Sequence, residues 1–173
     1  MKSTKVSLAG NSPSKRAQSK ILSPRWHAME SHTSATAALT VIVDTDIEKL
    51  SEVAHLFSDD WSTVSIGQEI SAILVGRNEA EYSAVINEWI DDRFRKSPSA
   101  LFLCYDIDLL FYPTLKLDPL AIFRQISRHR KLIVLWPGSY DESILCYAQP
   151  EHSHYHCWKN LEGIEIKGAE DAL

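Results

Sequence analysis

At 173 residues, with 45% hydrophobic and 24% charged residues, the chain suits one domain plus a tail. No run approaches the ~18 apolar residues of a membrane span and no apolar h-region lies near the start, so neither membrane residence nor secretion is expected. The net charge of -5 is uneven: Met1 to Met29 holds six basic residues and no acidic one, so the remaining 12 Lys+Arg face 23 Asp+Glu and carry -11. Such an acidic body repels phosphates, which excludes non-specific DNA binding except through the tail or a partner.

Residues 1–36 are rich in Ser, Lys, Ala and Thr without an apolar period, and the expectation is a disordered basic tail. Competing readings are a nucleic-acid arm, an organelle transit peptide, or a reading frame whose natural start is Met29. An α/β domain is expected over residues 37–168, followed by a flexible end at 169–173. LTVIV from Leu39 reads as a buried strand, and Asp44-Thr45-Asp46 offers N-caps. Ile47, Leu50, Val53, Ala54 and Phe57 then recur at helical spacing, with Asp59-Asp60 ending the helix. Trp61 to Ile66 reads as a second strand, and helices follow over Gln68 to Val75 and Glu79 to about Lys96.

Leu101 to Tyr105 (LFLCY) is apolar throughout, as a central parallel strand is. Leu117 to Arg128 reads as a helix capped by Asp118, with Pro119 in its first turn. Lys131 to Trp136 is a fourth strand, stopped by Pro137-Gly138; Ile144 to Ala148 and Gly163 to Ile166 read as further strands. Strands alternating with helices predict an α/β fold: a mostly parallel sheet flanked by helices. Cys104, Cys146 and Cys157 are too few and too scattered for a disulfide framework or a CxxC pair, which points to a reducing cytoplasm.

Four constellations carry candidate chemistry. The junction Val43 to Leu50 is where a phosphate-cradling loop would sit, yet it has no glycine and no Ser/Thr after Lys49. Asp44, Asp46 and Glu48 would repel a polyphosphate there, with Lys49 the only helpful charge and Thr45 the only hydroxyl. Asp106 and Asp108, two apart at a strand end, form a candidate cation pair, although capping of the next segment explains them more simply. His152, His154 and His156 would share one face of an extended chain, a weak zinc or nickel candidate against a surface edge packed on Trp158. The basic run at Arg128 and Arg130 suits a helix C-terminus, and is also a candidate partner contact.

IDLLFYPTLKLDPLAIFRQISRHRKLIVLWPG (Ile107 to Gly138), followed by LCYAQPEHSHYH (Leu145 to His156), resembles the BrxF family. These are small P-loop ATPase-like proteins of type III BREX bacteriophage-exclusion systems. The resemblance covers roughly Leu39 to Trp158. It implies a three-layer P-loop NTPase-like fold of the AAA+/STAND sort, acting with other defence-system proteins on invading DNA. By that resemblance Asp108 matches the acid that polarises the attacking water, and Tyr105 falls where a Mg²⁺-binding Asp belongs, unless Asp106 substitutes. Lys49 is nearest to the P-loop Lys, and Trp136 sits at the tip of the sensor-type strand. The departures fall on the parts the chemistry needs, which implies a pseudo-enzyme with no cofactor. The alternatives are a divergent ATPase using ATP and Mg²⁺ through Asp106 and Asp108, or a metal- or nucleic-acid-binding regulator. Homo-oligomers remain open.

Overall fold

Five strands lie side by side, all parallel, in the order Ser62–Ser65, Leu101–Tyr105, Lys131–Asp141, Leu39–Asp44, Ile164–Gly168; the three in the middle are apolar runs where they pair, buried on both faces, whereas the outer two (STVS and IEIKG) keep polar residues partly exposed. They belong to a computed structural model that describes residues 38–57 and 61–173. The tail readings, and the helix stop at Asp59-Asp60, lie outside those residues. The strands are β1 (Leu39–Asp44), β2 (Ser62–Ser65), β3 (Leu101–Tyr105), β4 (Lys131–Asp141) and β7 (Ile164–Gly168). The α/β expectation with a mostly parallel sheet flanked by helices holds.

Alternate residues of each strand face opposite sides. On one side Val41, Val43, Phe102, Cys104, Leu132, Val134 and Trp136 share a core with three helices: α2 (Ile66–Leu74), α3 (Glu79–Ile90) and α4 (Pro119–Ser127). On the other side α1 (Ile47–Leu56) lies against β1 and β4 with Leu50 and Val53 buried. This split follows from connection handedness. The chain leaves β1 for the far edge at β2, then returns strand by strand, so right-handed crossovers put α1 on one face and the later helices on the other.

Helix ends are closed as their sequences ask. Asp46 accepts from the Glu48 N–H and Asp118 from that of Ala121, with Pro119 at the first position of α4. The second strand ends at Ser65 rather than Ile66, because the Ser65 side chain caps α2 and Ile66 begins it. Helix α3 runs on into a π-helical turn, Asp91–Arg95.

Three expectations are corrected around β4. First, Pro137-Gly138 does not end the strand, which continues to Asp141. Pro137 falls at the last register pair with β1, opposite Asp44, where its missing N–H costs little. The strand then pairs antiparallel with β5 (Ile144–Tyr147), which pairs with β6 (His156–Trp158), a strand the sequence did not announce. Second, Cys146 and Cys157 face each other across β5 and β6 and are joined by a disulfide. Only Cys104 is free, and burial pushes its thiol pKa up, leaving it inert. Third, the last five residues are not a loose end: Ala169–Asp171 forms a 3-10 turn, with Ala169 and Ala172 buried.

Two stability tests arise here. The β4–β5 turn places Glu142 at φ 44° and Ser143 at φ 69°, the left-handed pair of a two-residue hairpin. Ser143→Gly is therefore expected to stabilise by about 0.5–1 kcal/mol in urea denaturation, since a side chain at positive φ is strained. Reducing the Cys146–Cys157 bond is expected to speed amide exchange in β6 about tenfold while β1, β3 and β4 keep their protection. β6 is a three-residue outer strand held by β5 alone.

Candidate functional site

Parallel α/β sheets present their ligand crevices beyond the carboxyl ends of the strands, where connections leave in opposite directions. Here that point lies at β1 and β4. The β1–α1 connection is only Thr45 and Asp46. Asp44 accepts the Asp46 N–H at 2.8 Å through Oδ1, and its Oδ2 lies 3.6 Å from Lys49 Nζ. Asp46 in turn accepts the Glu48 N–H at 2.9 Å. Two amides at the start of α1 are thus taken by the chain's own carboxylates, and the Lys49 ammonium is turned back on Asp44.

At the end of β3, Asp106 and Asp108 do not form the pair that strand spacing suggests. Asp106 adopts φ 55°, which breaks the strand's alternation and turns the two side chains apart. The Asp106 carboxylate reaches the start of α2, where Oδ2 accepts from Ser65 Oγ at 2.8 Å and from the Gln68 N–H at 3.1 Å. Its backbone carbonyl accepts from the Gly67 N–H at 2.7 Å. Gly67 makes this approach possible, because a Cβ there would lie 2.6 Å from Asp106 Oδ2. Asp106 is a cap, as the simpler reading held, but of the helix before β3 rather than the segment after it.

Asp108 opens a 3-10 turn, Asp108–Phe111, and its Oδ1 accepts the Tyr147 hydroxyl at 2.8 Å. Burial, then the bond to Asp108, pushes the Tyr147 pKa up, so the phenol stays a donor. The Tyr147 ring stacks on Phe111 with centroids 3.5 Å apart, beside the buried Trp136. Trp136 Nε1 donates to the Cys146 carbonyl at 3.0 Å. It is a buried bolt between the sheet and the hairpin rather than a tip residue facing the crevice.

Two cavities open at this end of the sheet. One, of about 340 Å³, has apolar walls from Ile47, Leu50, Ala54, Leu135 and Pro137, with Tyr105, Asp106 and Asp108 at its polar edge. The other, of about 490 Å³, lies toward the hairpin and takes in Thr45, Tyr147, Gln149 and His152. Ile47, Asp108 and Pro137 line both. No Lys or Arg lines either among the described residues.

The rings of His152 and His154 meet edge to face with centroids 5.4 Å apart, while that of His156 packs elsewhere. Residues 152–155 turn, and only His156 lies in a strand. His152 accepts the His154 N–H on Nδ1 at 3.1 Å. The His154 ring meets Tyr112 and the His156 ring meets Trp158. The expected common face is absent, and no group of three His, Cys, Asp or Glu is placed to hold a metal among the described residues. Arg130 is not a free contact either: it donates to the carbonyls of Phe94, Arg95 and Ser97 and closes the end of the π-helical turn Asp91–Arg95. Arg128 is exposed at the end of α4.

Sequence reasoning missed Tyr147, Gly67, Gln149 and the apolar wall of Ile47, Ala54 and Pro137. The Ser65-Ile66-Gly67-Gln68 run held a readable signal, a serine N-cap with a glycine two residues on; the partner across 41 residues was not readable. Compared with family models, curated proteins and solved structures, the chain matches none.

Proposed function

We propose that the chain is a non-hydrolysing P-loop-like scaffold, an accessory subunit of a BREX-type bacterial antiphage complex, working in the cytoplasm through protein contacts. The observation that carries the nucleotide-free half is the β1–α1 connection. A triphosphate needs several free N–H groups, room for close backbone approach and a neutralising Lys. This connection has two residues, spends the Asp46 and Glu48 amides on carboxylates, and engages Lys49 with Asp44. The crevice adds carboxylates and, among the described residues, no Lys or Arg. Asp106 and Asp108 point apart, so they do not fit as joint ligands of Mg²⁺. These residues do not fit ATP with Mg²⁺.

The defence-complex half rests on the resemblance to the BrxF family over Ile107 to His156. That block supplies the 3-10 turn after β3, helix α4, β4 and the hairpin, which are packing and surface elements. A reducing cytoplasm opens accessible bridges, so the Cys146–Cys157 bond is the feature most at odds with that home.

Isothermal titration of the full chain with ATP-Mg²⁺ is expected to give no binding heat at about 1 mM nucleotide, a binding free energy weaker than about −4 kcal/mol. Micromolar binding overturns the nucleotide-free reading. Phage plating on a host lacking this gene, but keeping the rest of its defence system, tests the other half: unchanged resistance sinks it.

A further inference from the structure

Asp108 lies on the wall shared by both cavities, half-buried, with one oxygen on the Tyr147 hydroxyl and no ion pair among the described residues. Its neighbours are spoken for: Asp106 is spent on the start of α2, and Asp44 faces Lys49. One wall beside Asp108 is aliphatic, built from Ile47, Leu50, Ala54, Leu135 and Pro137. A carboxylate partly withdrawn from water gains from a counter-charge, and among the described residues the crevice offers no Lys or Arg, only the bases His55 and His152.

The chemistry selects the counter-charge. An anion is repelled. A divalent metal wants six or more oxygen ligands, and no three-ligand group stands here among the described residues. A guanidinium or ammonium on a hydrocarbon stem matches both halves of the crevice, since the stem lies on the aliphatic wall while the head reaches the carboxylate. We propose that this crevice docks a basic side chain, Arg or Lys, presented by an extended segment of a partner protein. Arg suits it better, because a planar fork gives two bonds to one carboxylate and sheds water more readily than an ammonium. Charge also selects the source. Residues after Met29 carry 12 Lys+Arg against 23 Asp+Glu, so the acidic body of a second copy is repelled and a basic segment of a different protein is drawn in, the six basic residues before Met29 being the competing occupant. The inference rests on the nucleotide-free reading, since a bound triphosphate would fill the same end of the sheet.

The test uses the full 173-residue chain, isotopically labelled and observed by NMR, with three capped tripeptides as probes: Gly-Arg-Gly, Gly-Gln-Gly and Gly-Glu-Gly. The Arg peptide is expected to give saturable shifts at Ile47, Ala54 and Asp108, with the Gln peptide about tenfold weaker and the Glu peptide silent. Added salt weakens the Arg peptide. Asp108→Asn keeps an oxygen for the Tyr147 hydroxyl while removing the charge, and should weaken the Arg peptide about tenfold. Equal binding of Gln and Arg peptides, or an unchanged affinity in Asp108→Asn, overturns the proposal. So does a dimer in sedimentation that Asp108→Asn dissolves, because the occupant is then a second copy. ATP-Mg²⁺ added to the same samples separates the two readings. If nucleotide binds and displaces the Arg peptide, the nucleotide-free reading falls and takes this one with it. If neither binds, this inference alone falls.

Discussion

Gly138→Ala is expected to lower unfolding stability by about 3 kcal/mol, the upper range for forcing a methyl into a packed site. For a chain of this size that is about 6–12 °C in melting temperature. The added Cβ would fall on the Cys146 carbonyl oxygen, with Tyr147 Cα also close, because Gly138 pairs with Tyr147 where β4 passes from its parallel partner to its antiparallel one. Backbone held by a ladder and a disulfide has little room to give. The same carbonyl accepts the Trp136 indole N–H, so displacing β5 loosens a buried tryptophan as well. Urea denaturation measures the loss, and near-ultraviolet circular dichroism should change with it. A loss under 1 kcal/mol would mean that the hairpin does not cross β4 as closely as described.

Asp106→Ala comes next, with an expected loss of about 2 kcal/mol. The carboxylate holds Ser65 Oγ and the Gln68 N–H, and its charge sits at the positive end of α2. Asp106 is exposed, which trims the electrostatic share and keeps the figure at the modest end. Asp106→Gly should cost less than Asp106→Ala, although both lose the cap, because φ 55° suits glycine. Should the two variants lose equal stability, strain at this residue has been misjudged. Should neither lose any, Asp106 is not the cap and is free for other chemistry.

Much of the framework was legible because it is written locally. LTVIV, LFLCY and KLIVLW are buried on both faces and so read as apolar runs; the period of Ile47, Leu50 and Val53 gave α1, and Asp118-Pro119 gave the start of α4. The lack of glycine between Val43 and Leu50 was legible for the same reason, since glycine content is a local property. What failed was non-local. Pro137-Gly138 is a stop signal in isolation, and only the end of β1 opposite Pro137 and the carbonyl of Cys146 opposite Gly138 make it a crossing point. HCW is too short to announce a strand; it is one because Cys146 and Tyr147 lie alongside. The spacing of Cys146 and Cys157 gave no hint of the bond, because hairpin register decides which residues meet. Strand periodicity predicted Asp106 and Asp108 side by side, and one left-handed residue undid it.

The two-residue link between β1 and α1 sets a limit on what this lineage can become. A glycine-rich phosphate grip spans about eight positions, so no series of single-codon replacements can install one here. Extra codons would have to be gained between Asp44 and Ile47, and the new loop would first have to release Lys49 from Asp44. Point mutation can therefore change which side chains stand at the end of β1, while the length of the connection stays as it is.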